Sequence, residues 1–245
     1  MELIPVHCSS YDDFQINIPA LEGGYQKARA RHIQVKGDLI SNPSNPLGTT
    51  MDAITLRKLL CFVSDKNIHL VCDEIYSGSI FSSPKNFTSI AEILATNKIY
   101  QRDCVHIVYS LSKDLGLPGF RVGVIYSYND TVVTAARRMS SFSLVSSQTQ
   151  HLIAAILSDT EFVRKYFAEN SKSLRQMFVH ALRVAGINSL NSNARLFFDV
   201  DVRNLLQSHN QERDIRLWKT ILKEFGSNVV MVLIHTSVKP RWISF

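Results

Sequence analysis

Polar residues follow three short apolar runs of the chain, and their types are those that do chemistry on a bound cofactor. The clusters are 42–48, which reads NPSNPLG, 73–76, which reads DEIY, and 110–113, which reads SLSK, with Arg121 eight residues beyond Lys113. Taken singly, each cluster has an ordinary explanation as a turn, a helix cap or a solvated loop. Taken together, they place an Asn, an Asp, a Tyr, a Ser, a Lys and an Arg after predicted strands, where an open α/β sheet forms its ligand crevice.

This combination of side chains suits pyridoxal phosphate. A lysine can form the Schiff base, and a carboxylate can pair with the protonated ring nitrogen. Hydroxyl and amide groups can bind the phenolic oxygen, while a serine and an arginine can hold the phosphate. The residues therefore predict a pyridoxal phosphate site at one edge of the sheet.

The elements that must position these residues are indicated by the hydrophobic pattern. Runs at 35–40, 68–72, 106–109 and 122–125 predict buried strands. Between the first two runs, Leu56, Leu59, Leu60 and Val63 recur at the spacing of one helix face. Strand, helix and strand in this order form a βαβ unit, so we predict an α/β fold with a mostly parallel sheet.

Helical periodicity dominates after Tyr126. The pattern predicts helices over 131–139, 148–157 and 160–185, then a strand over 196–202 and a helix over 214–225. We therefore divide the chain into a cofactor-binding part of a large domain at 1–159 and part of a smaller α+β domain at 160–245.

Composition argues against several other classes of function. The 245 residues carry a net charge of +6, but the basic residues are scattered and form no block, which disfavours nucleic acid as a partner. The apolar run at 229–234 is too short to span a membrane, which takes about 20 residues. The histidines lack the spacing of metal ligands, and the four cysteines are far apart with nothing like a secretory signal before them. We expect a cytoplasmic protein with no metal, no nucleic acid and no membrane partner.

Four longer strings carry a resemblance to a known family. They are SNPSNPLGTT at 41–50, VCDEIYSGSIF at 71–81, VYSLSKDLGLPGFRVGVIYS at 108–127 and SSFSLVSSQTQ at 140–150. Together they resemble the core of plant 1-aminocyclopropane-1-carboxylate (ACC) synthases, within the class I/II aminotransferase superfamily of fold type I. The third string is the most specific, and the similarity runs from about residue 5 to about residue 225.

The resemblance implies a role for each residue that matches the family's motifs. Lys113 would form the Schiff base and, once displaced by substrate, remove the α-proton. Asp73 would pair with the ring nitrogen and keep the ring an electron sink. Tyr76 and Asn45 would hydrogen-bond the ring hydroxyl.

The resemblance also implies how the phosphate is held and which reaction is catalysed. Ser110 and Arg121 would bind the phosphate, the arginine as a planar fork of donors. The family converts S-adenosylmethionine to ACC, the ethylene precursor, and methylthioadenosine by γ-elimination with ring closure. An amino-acid aminotransferase shares the cofactor residues and remains the alternative enzyme.

The chain also departs from the family. It is about half the family's length, and the absent leading half would carry an aromatic that stacks on the ring and a tyrosine that reaches the partner's site. Residues 235–245 differ from the family segment that holds the substrate-binding arginine, so Arg241 is not equated with it. Arg195 and Asp199 place charges in an expected strand, which costs several kcal/mol if they are unpaired.

These departures lead us to expect a truncated chain that is inactive alone. It would act as a homodimer, or as a heterodimer with a complete relative. A non-catalytic remnant that serves only as a dimerisation partner is the remaining alternative.

Overall fold

The computed structural model describes residues 2–8, 14–45, 47–80, 87–96 and 100–170, with short pieces at 180, 182–184, 186, 199–201, 219–220, 223 and 242–244. In the described residues up to 170, the helices and strands are, in chain order, α1 (Ile18–Ala30), β1 (Gly37–Ser41), α2 (Ala53–Asp65), β2 (His69–Asp73), α3 (Ile90–Thr96), β3 (Val105–Ser110), α4 (Leu111–Asp114), β4 (Gly123–Ser127), α5 (Asp130–Ser140), α6 (Ser147–Ser158) and α7 (Thr160–Asn170). Short 3-10 helices cover Arg102–Cys104 and Pro118–Phe120.

The four strands form one sheet in the order β1-β2-β3-β4. The first three are parallel, with Ser41 opposite Asp73 and Asp73 opposite Val108. β4 runs antiparallel to β3 and places Gly123 opposite Ser110. The prediction of an α/β fold with a mostly parallel sheet is therefore confirmed, and the four predicted strands coincide with the observed ones to within about two residues at each end.

The main hydrophobic core lies between the sheet and helices α1, α2 and α3. α2 begins where the Asp52 side chain accepts a hydrogen bond from the Thr55 amide at 2.7 Å, which satisfies a donor that the first helical turn leaves unpaired. Its predicted apolar face, Leu56, Leu59, Leu60 and Val63, is buried. Helix α1, which the sequence analysis does not predict, is capped in the same way by Asn17 and buries Leu21 and Ala28.

Two strand predictions need a correction. In β1, which is one edge of the sheet, only Ile40 is buried and Leu39 is 68% exposed, and β4 contains no buried residue. Val124 is 50% exposed and Ile125 is 52% exposed. The physical reason is that β4 is the last strand of the sheet in the part of the chain that the structure describes, and the helix that follows it, α5, buries none of its residues. An apolar run shows that a strand forms but not whether another layer covers it.

A second, smaller core joins α4 to the later helices. Leu111, Leu115 and Ile153 are buried together, and Tyr166 and Phe167 of α7 pack against them. This cluster buries Leu111 of the short helix that carries Lys113, and Leu115 just after that helix.

The C-terminal part is described only in pieces. β5 (Asp199–Asp201) lies inside the strand predicted at 196–202 and pairs antiparallel with β6 (Trp242–Ser244). The described residues leave out most of the helix predicted at 214–225 and most of the second half of the helix predicted at 160–185. They also leave out Arg195 and Arg241. The domain boundary at 159/160 and the cost expected of the charges at Arg195 and Asp199 stay predictions.

Among the helices that the structure describes, none combines the length and the apolar character needed to cross a bilayer. The described residues also contain no group of three or more His, Cys, Asp or Glu side chains placed to hold a metal ion.

Candidate cofactor site

The carboxyl ends of the three parallel strands meet at one edge of the sheet. The amide of Asn42, just after β1, donates to the Asp73 carbonyl at 2.9 Å. The amide of Glu74, just after β2, donates to the Val108 carbonyl at 2.9 Å. Two of the predicted polar clusters thus begin at adjacent points of this edge, and the third begins two residues after Val108 on β3.

The turn after β2 carries Asp73 and Tyr76. One carboxylate oxygen of Asp73, which is half-buried, accepts a hydrogen bond from the Ile75 amide at 3.1 Å and shapes the turn locally. The Tyr76 side chain is only 6% exposed. Glu74 is also buried and accepts from the Ile90 amide at 2.9 Å and from the Ser89 hydroxyl at 2.7 Å. Burial raises the pKa of Glu74. Glu74 therefore secures the turn to α3, while Asp73 remains at the edge of the sheet.

Lys113 lies on α4, a single helical turn that begins directly after β3. The Ser110 hydroxyl oxygen accepts from the Ser112 amide at 3.1 Å and caps this turn. Leu111 is buried, whereas Lys113 is exposed. The Lys113 Nζ lies 6.0 Å from the centre of the Tyr76 ring. The structure therefore brings the candidate lysine beside the turn that carries Asp73 and Tyr76.

The antiparallel pairing of β4 brings Ser110 and Arg121 near each other. The Ser110 Oγ lies 2.9 Å from the Val122 carbonyl oxygen, and the Leu111 amide donates to the same carbonyl at 3.3 Å. Arg121, one residue before Val122, is exposed and has a φ of 54°, an unusual value for a residue with a side chain. Its Nη1 donates to the Pro118 carbonyl at 3.0 Å, which uses one of the five donors of a guanidinium group.

No described contact links Asn45 to another candidate residue. It is exposed in the loop after β1. Asn42 holds this loop, because its side-chain oxygen accepts from the Met51 amide at 2.9 Å. Pro46, the next residue after Asn45, lies outside the described residues. The placement of Asn45 against a cofactor remains a prediction.

Besides Glu74, two buried polar residues at this edge are not among the site residues predicted from the sequence. Asn42 is fully buried, and its side-chain nitrogen has no partner within the described residues. Asp114, adjacent to Lys113, is 4% exposed and accepts three hydrogen bonds. Nothing in the sequence distinguishes Asp114 from a surface carboxylate of a short helix, so only the tertiary structure identifies it.

The chemistry of the donor set fits pyridoxal phosphate. The Lys113 amine lies 6.0 Å from the Tyr76 ring, in the turn that follows Asp73. The Ser110 hydroxyl lies 2.9 Å from the carbonyl oxygen of Val122, the residue after Arg121. These groups match the aldehyde, the ring nitrogen, the ring oxygen and the phosphate of the cofactor.

The sequence model of the family described as aminotransferase class I and II matches residues 1–243. The chain belongs to this family. It is 54% identical over 251 residues to the 1-aminocyclopropane-1-carboxylate synthase of Malus domestica, covering 99% of this chain and 52% of that protein. It is 52% identical over 244 residues to 1-aminocyclopropane-1-carboxylate synthase 2 of Cucurbita pepo, covering 98% of this chain and 49% of that protein. The chain thus spans about half the length of these relatives, and the predicted resemblance to the ACC synthase family is confirmed.

Solved structures of aminotransferases share the fold at low sequence identity. The Thermus thermophilus aspartate aminotransferase tetra mutant 1 superposes with a TM-score of 0.76 at 17% identity, covering 98% of this chain and 61% of that chain. The aromatic aminotransferase from Pyrococcus horikoshii OT3 gives a TM-score of 0.76 at 16% identity, covering 98% of this chain and 60% of that chain. Class I and II aminotransferases and ACC synthases are pyridoxal phosphate enzymes, so the predictions of fold type I and of this cofactor are both confirmed.

Proposed function

We propose that this chain provides the cofactor-binding core of an ACC synthase, which converts S-adenosylmethionine to ACC and methylthioadenosine in ethylene biosynthesis. The observation that carries the proposal is the position of Lys113, whose Nζ lies 6.0 Å from the Tyr76 ring, beside the turn that begins at Asp73. Relatives that are about half identical to this chain are named 1-aminocyclopropane-1-carboxylate synthases, which supports ACC as the product.

The side chains around the turn after β2 would orient the cofactor ring. Asp73 would face the protonated ring nitrogen, where a carboxylate favours the charged form. Tyr76 and Asn45 would donate to the ring oxygen. Because Tyr76 is buried and therefore restricted in its rotamers, we expect it to supply a fixed donor rather than an adaptable one.

The groups at the start of β4 would hold the phosphate. Ser110 has a hydroxyl at the end of β3, and Arg121 extends from a backbone conformation that the flanking turn holds in place. An exposed guanidinium can rotate to pair with a phosphate in a two-pronged manner. Ser110 and Arg121 would thus fix the end of the cofactor that lies away from the ring nitrogen.

Lys113 would act on the substrate. The bound cofactor supplies an electron sink for the negative charge that develops at the substrate α-carbon. The exposed Lys113 amine would attach the cofactor at rest and, when released by substrate, take the proton from that carbon. A bond then forms between the α- and γ-carbons, while the bond from the γ-carbon to sulfur breaks and its electron pair leaves with methylthioadenosine.

We place the chain in a dimer, either with a second copy or with a longer relative. The described part of the chain exposes large apolar side chains that water solvates poorly, with Phe142 at 86% and Leu144 at 74% exposure. A cytoplasmic location is part of the same proposal and is favoured by the wide spacing of the cysteines.

Product analysis tests this function. The isolated chain with pyridoxal phosphate and S-adenosylmethionine should give no detectable ACC. A mixture with a complete ACC synthase whose own lysine has been replaced should give ACC, and the same mixture with Lys113→Ala should give none. A keto acid from the mixture would instead identify an amino-acid aminotransferase. A folded mixed dimer without any product would support the non-catalytic remnant.

A further inference from the structure

We propose that Asp114 is a positioning residue that holds the Lys113 amine against the turn carrying Asp73 and Tyr76. The inference rests on the proposed role of Lys113 and deepens it. Asp114 is not a group that would touch the cofactor, because its carboxylate points into the protein and is almost fully buried.

Three donors converge on the Asp114 carboxylate. Its Oδ2 accepts from the Gly78 amide at 2.7 Å and from the Tyr109 hydroxyl at 3.1 Å. Its Oδ1 accepts from the Ser79 hydroxyl at 2.6 Å. Gly78 and Ser79 belong to the turn after β2, and Tyr109 belongs to β3. The Asp114 carboxylate therefore connects α4 both to the turn that carries Tyr76 and to β3, the strand that precedes α4.

The geometry of α4 makes this tie necessary. A helix of one turn has little stability of its own, because forming the first turn is unfavourable and so short a helix has few backbone hydrogen bonds to offset that cost. Successive helical residues point about 100° apart, so Asp114 can face inward while Lys113 stays exposed. The orientation of Lys113 is then set by what anchors its neighbours, namely Asp114 and the buried Leu111 and Leu115.

The contact with Gly78 shows how closely the two segments approach. A Cβ added to Gly78 would lie 2.8 Å from the Asp114 Oδ2 and 2.6 Å from Cε1 of Phe167. The turn can reach the carboxylate only because residue 78 lacks a side chain. Burial raises the pKa of Asp114 and the three hydrogen bonds oppose this shift, as expected for a carboxylate held by donors inside the protein.

The hydrogen-bond pattern also predicts how variants of Asp114 behave. Asp114→Asn keeps the shape of the side chain and can place its oxygen at the Oδ2 position, while its amide donates to the rotatable Ser79 hydroxyl. Asp114→Ala removes all three contacts and leaves the Gly78 amide unpaired. We therefore expect the asparagine variant to rescue what the alanine variant loses.

The test measures total and covalent binding of pyridoxal phosphate separately in the full chain. Total binding is followed by equilibrium dialysis, and covalent binding by the fraction of bound cofactor that borohydride fixes to Lys113, located by peptide mass spectrometry. Asp114→Ala should lower the fixed fraction by about tenfold, with a much smaller loss of total binding. The fixed fraction of Asp114→Asn should stay within about threefold of the wild-type value. Asp103→Ala replaces an exposed aspartate before β3, and its fixed fraction should equal the wild-type value.

A fixed fraction in a folded Asp114→Ala chain that equals the wild type would overturn the proposal. So would a loss of fixed fraction and total binding in equal proportion, since that describes general damage to the fold. If the alanine variant does not fold, Ser79→Ala and Tyr109→Phe each remove one of the three bonds, and an unchanged fixed fraction in both would contradict the inference.

Amide hydrogen exchange separates this proposal from the proposed function. Asp114→Ala should speed exchange in the peptides covering 74–80 and 111–117 together, with no cofactor present. If the wild-type chain gives no fixed label at Lys113, the role of Lys113 fails. The exchange result still decides whether Asp114 couples the two segments, and unchanged exchange would refute that coupling.

Discussion

Gly78→Ala is expected to destabilise the chain strongly, because the new methyl group has no space. It would lie 2.6 Å from Cε1 of Phe167 and 2.8 Å from the Asp114 Oδ2. This steric clash can be relieved only if the Phe167 ring shifts within the smaller core or if the Asp114 carboxylate moves away from the Gly78 amide. The same substitution in an open helix is normally stabilising, so the sign of the effect is informative.

The magnitude follows from these two routes. Overpacking costs about 1–3 kcal/mol, and loss of a hydrogen bond to a charged group costs about 1.5–3 kcal/mol. The two costs overlap, since movement of the carboxylate relieves part of the clash. We therefore expect a loss of about 2–4 kcal/mol in the free energy of unfolding, and a fall in the thermal midpoint of about 4–16 °C.

The assay is urea unfolding followed by circular dichroism, with two matched glycine controls. A Cβ added to Gly23 of α1 or to Gly119 of the turn before Arg121 meets no atom within 4 Å. Gly23→Ala should gain up to about 1 kcal/mol, because it replaces a helix-interior glycine. Gly119→Ala should change little. If Gly78→Ala proves as stable as the wild type, the close packing of the turn against Asp114 is wrong.

Three further predictions concern a helix cap, the phosphate site and pH. Asp52→Ala should cost about 1 kcal/mol of stability in urea unfolding, since it removes the cap of α2, and Asp52→Ser should restore most of it. Arg121→Lys should weaken cofactor binding by about tenfold in an equilibrium titration, because a lysine cannot bind a phosphate in a two-pronged manner. Burial is the larger cause that lowers the pKa of His106, and the neighbouring His69 lowers this pKa further. The folded state therefore disfavours the protonated form of His106. The unfolded chain then binds more protons, and the free energy of unfolding should fall as the pH drops below about 6.5, the pKa of an unfolded histidine, towards the lower pKa of the folded state. His106→Gln should flatten this dependence, and an unchanged slope in that variant would refute the assignment.

The positions of the strands and of the candidate lysine could be predicted from the sequence because local signals specify them. Apolar runs mark the strands, and parallel strands end at one edge, so polar residues that follow them meet. In the structure the Lys113 amine lies 6.0 Å from the ring of Tyr76, in the turn that follows Asp73. Their types, read with the ACC synthase motifs, were enough to predict the cofactor.

Features that depend on tertiary contacts could not be predicted in this way. The exposure of Val124 and Ile125 depends on what covers β4, and no local pattern contains that information. Helix α1 was missed because its apolar positions are few and its hydrophobic periodicity is weak. Asp114 was missed because its donors come from the turn after β2 and from β3.

The most direct test of the central claim is the location of the cofactor's covalent link. The purified chain should be mixed with pyridoxal phosphate, treated with borohydride, digested and sequenced by mass spectrometry. We predict a single label per chain on Lys113, with an absorbance band near the visible edge before reduction, and loss of both in Lys113→Ala. A label that persists at the same stoichiometry in Lys113→Ala, or that maps to another lysine in the wild type, would contradict the account.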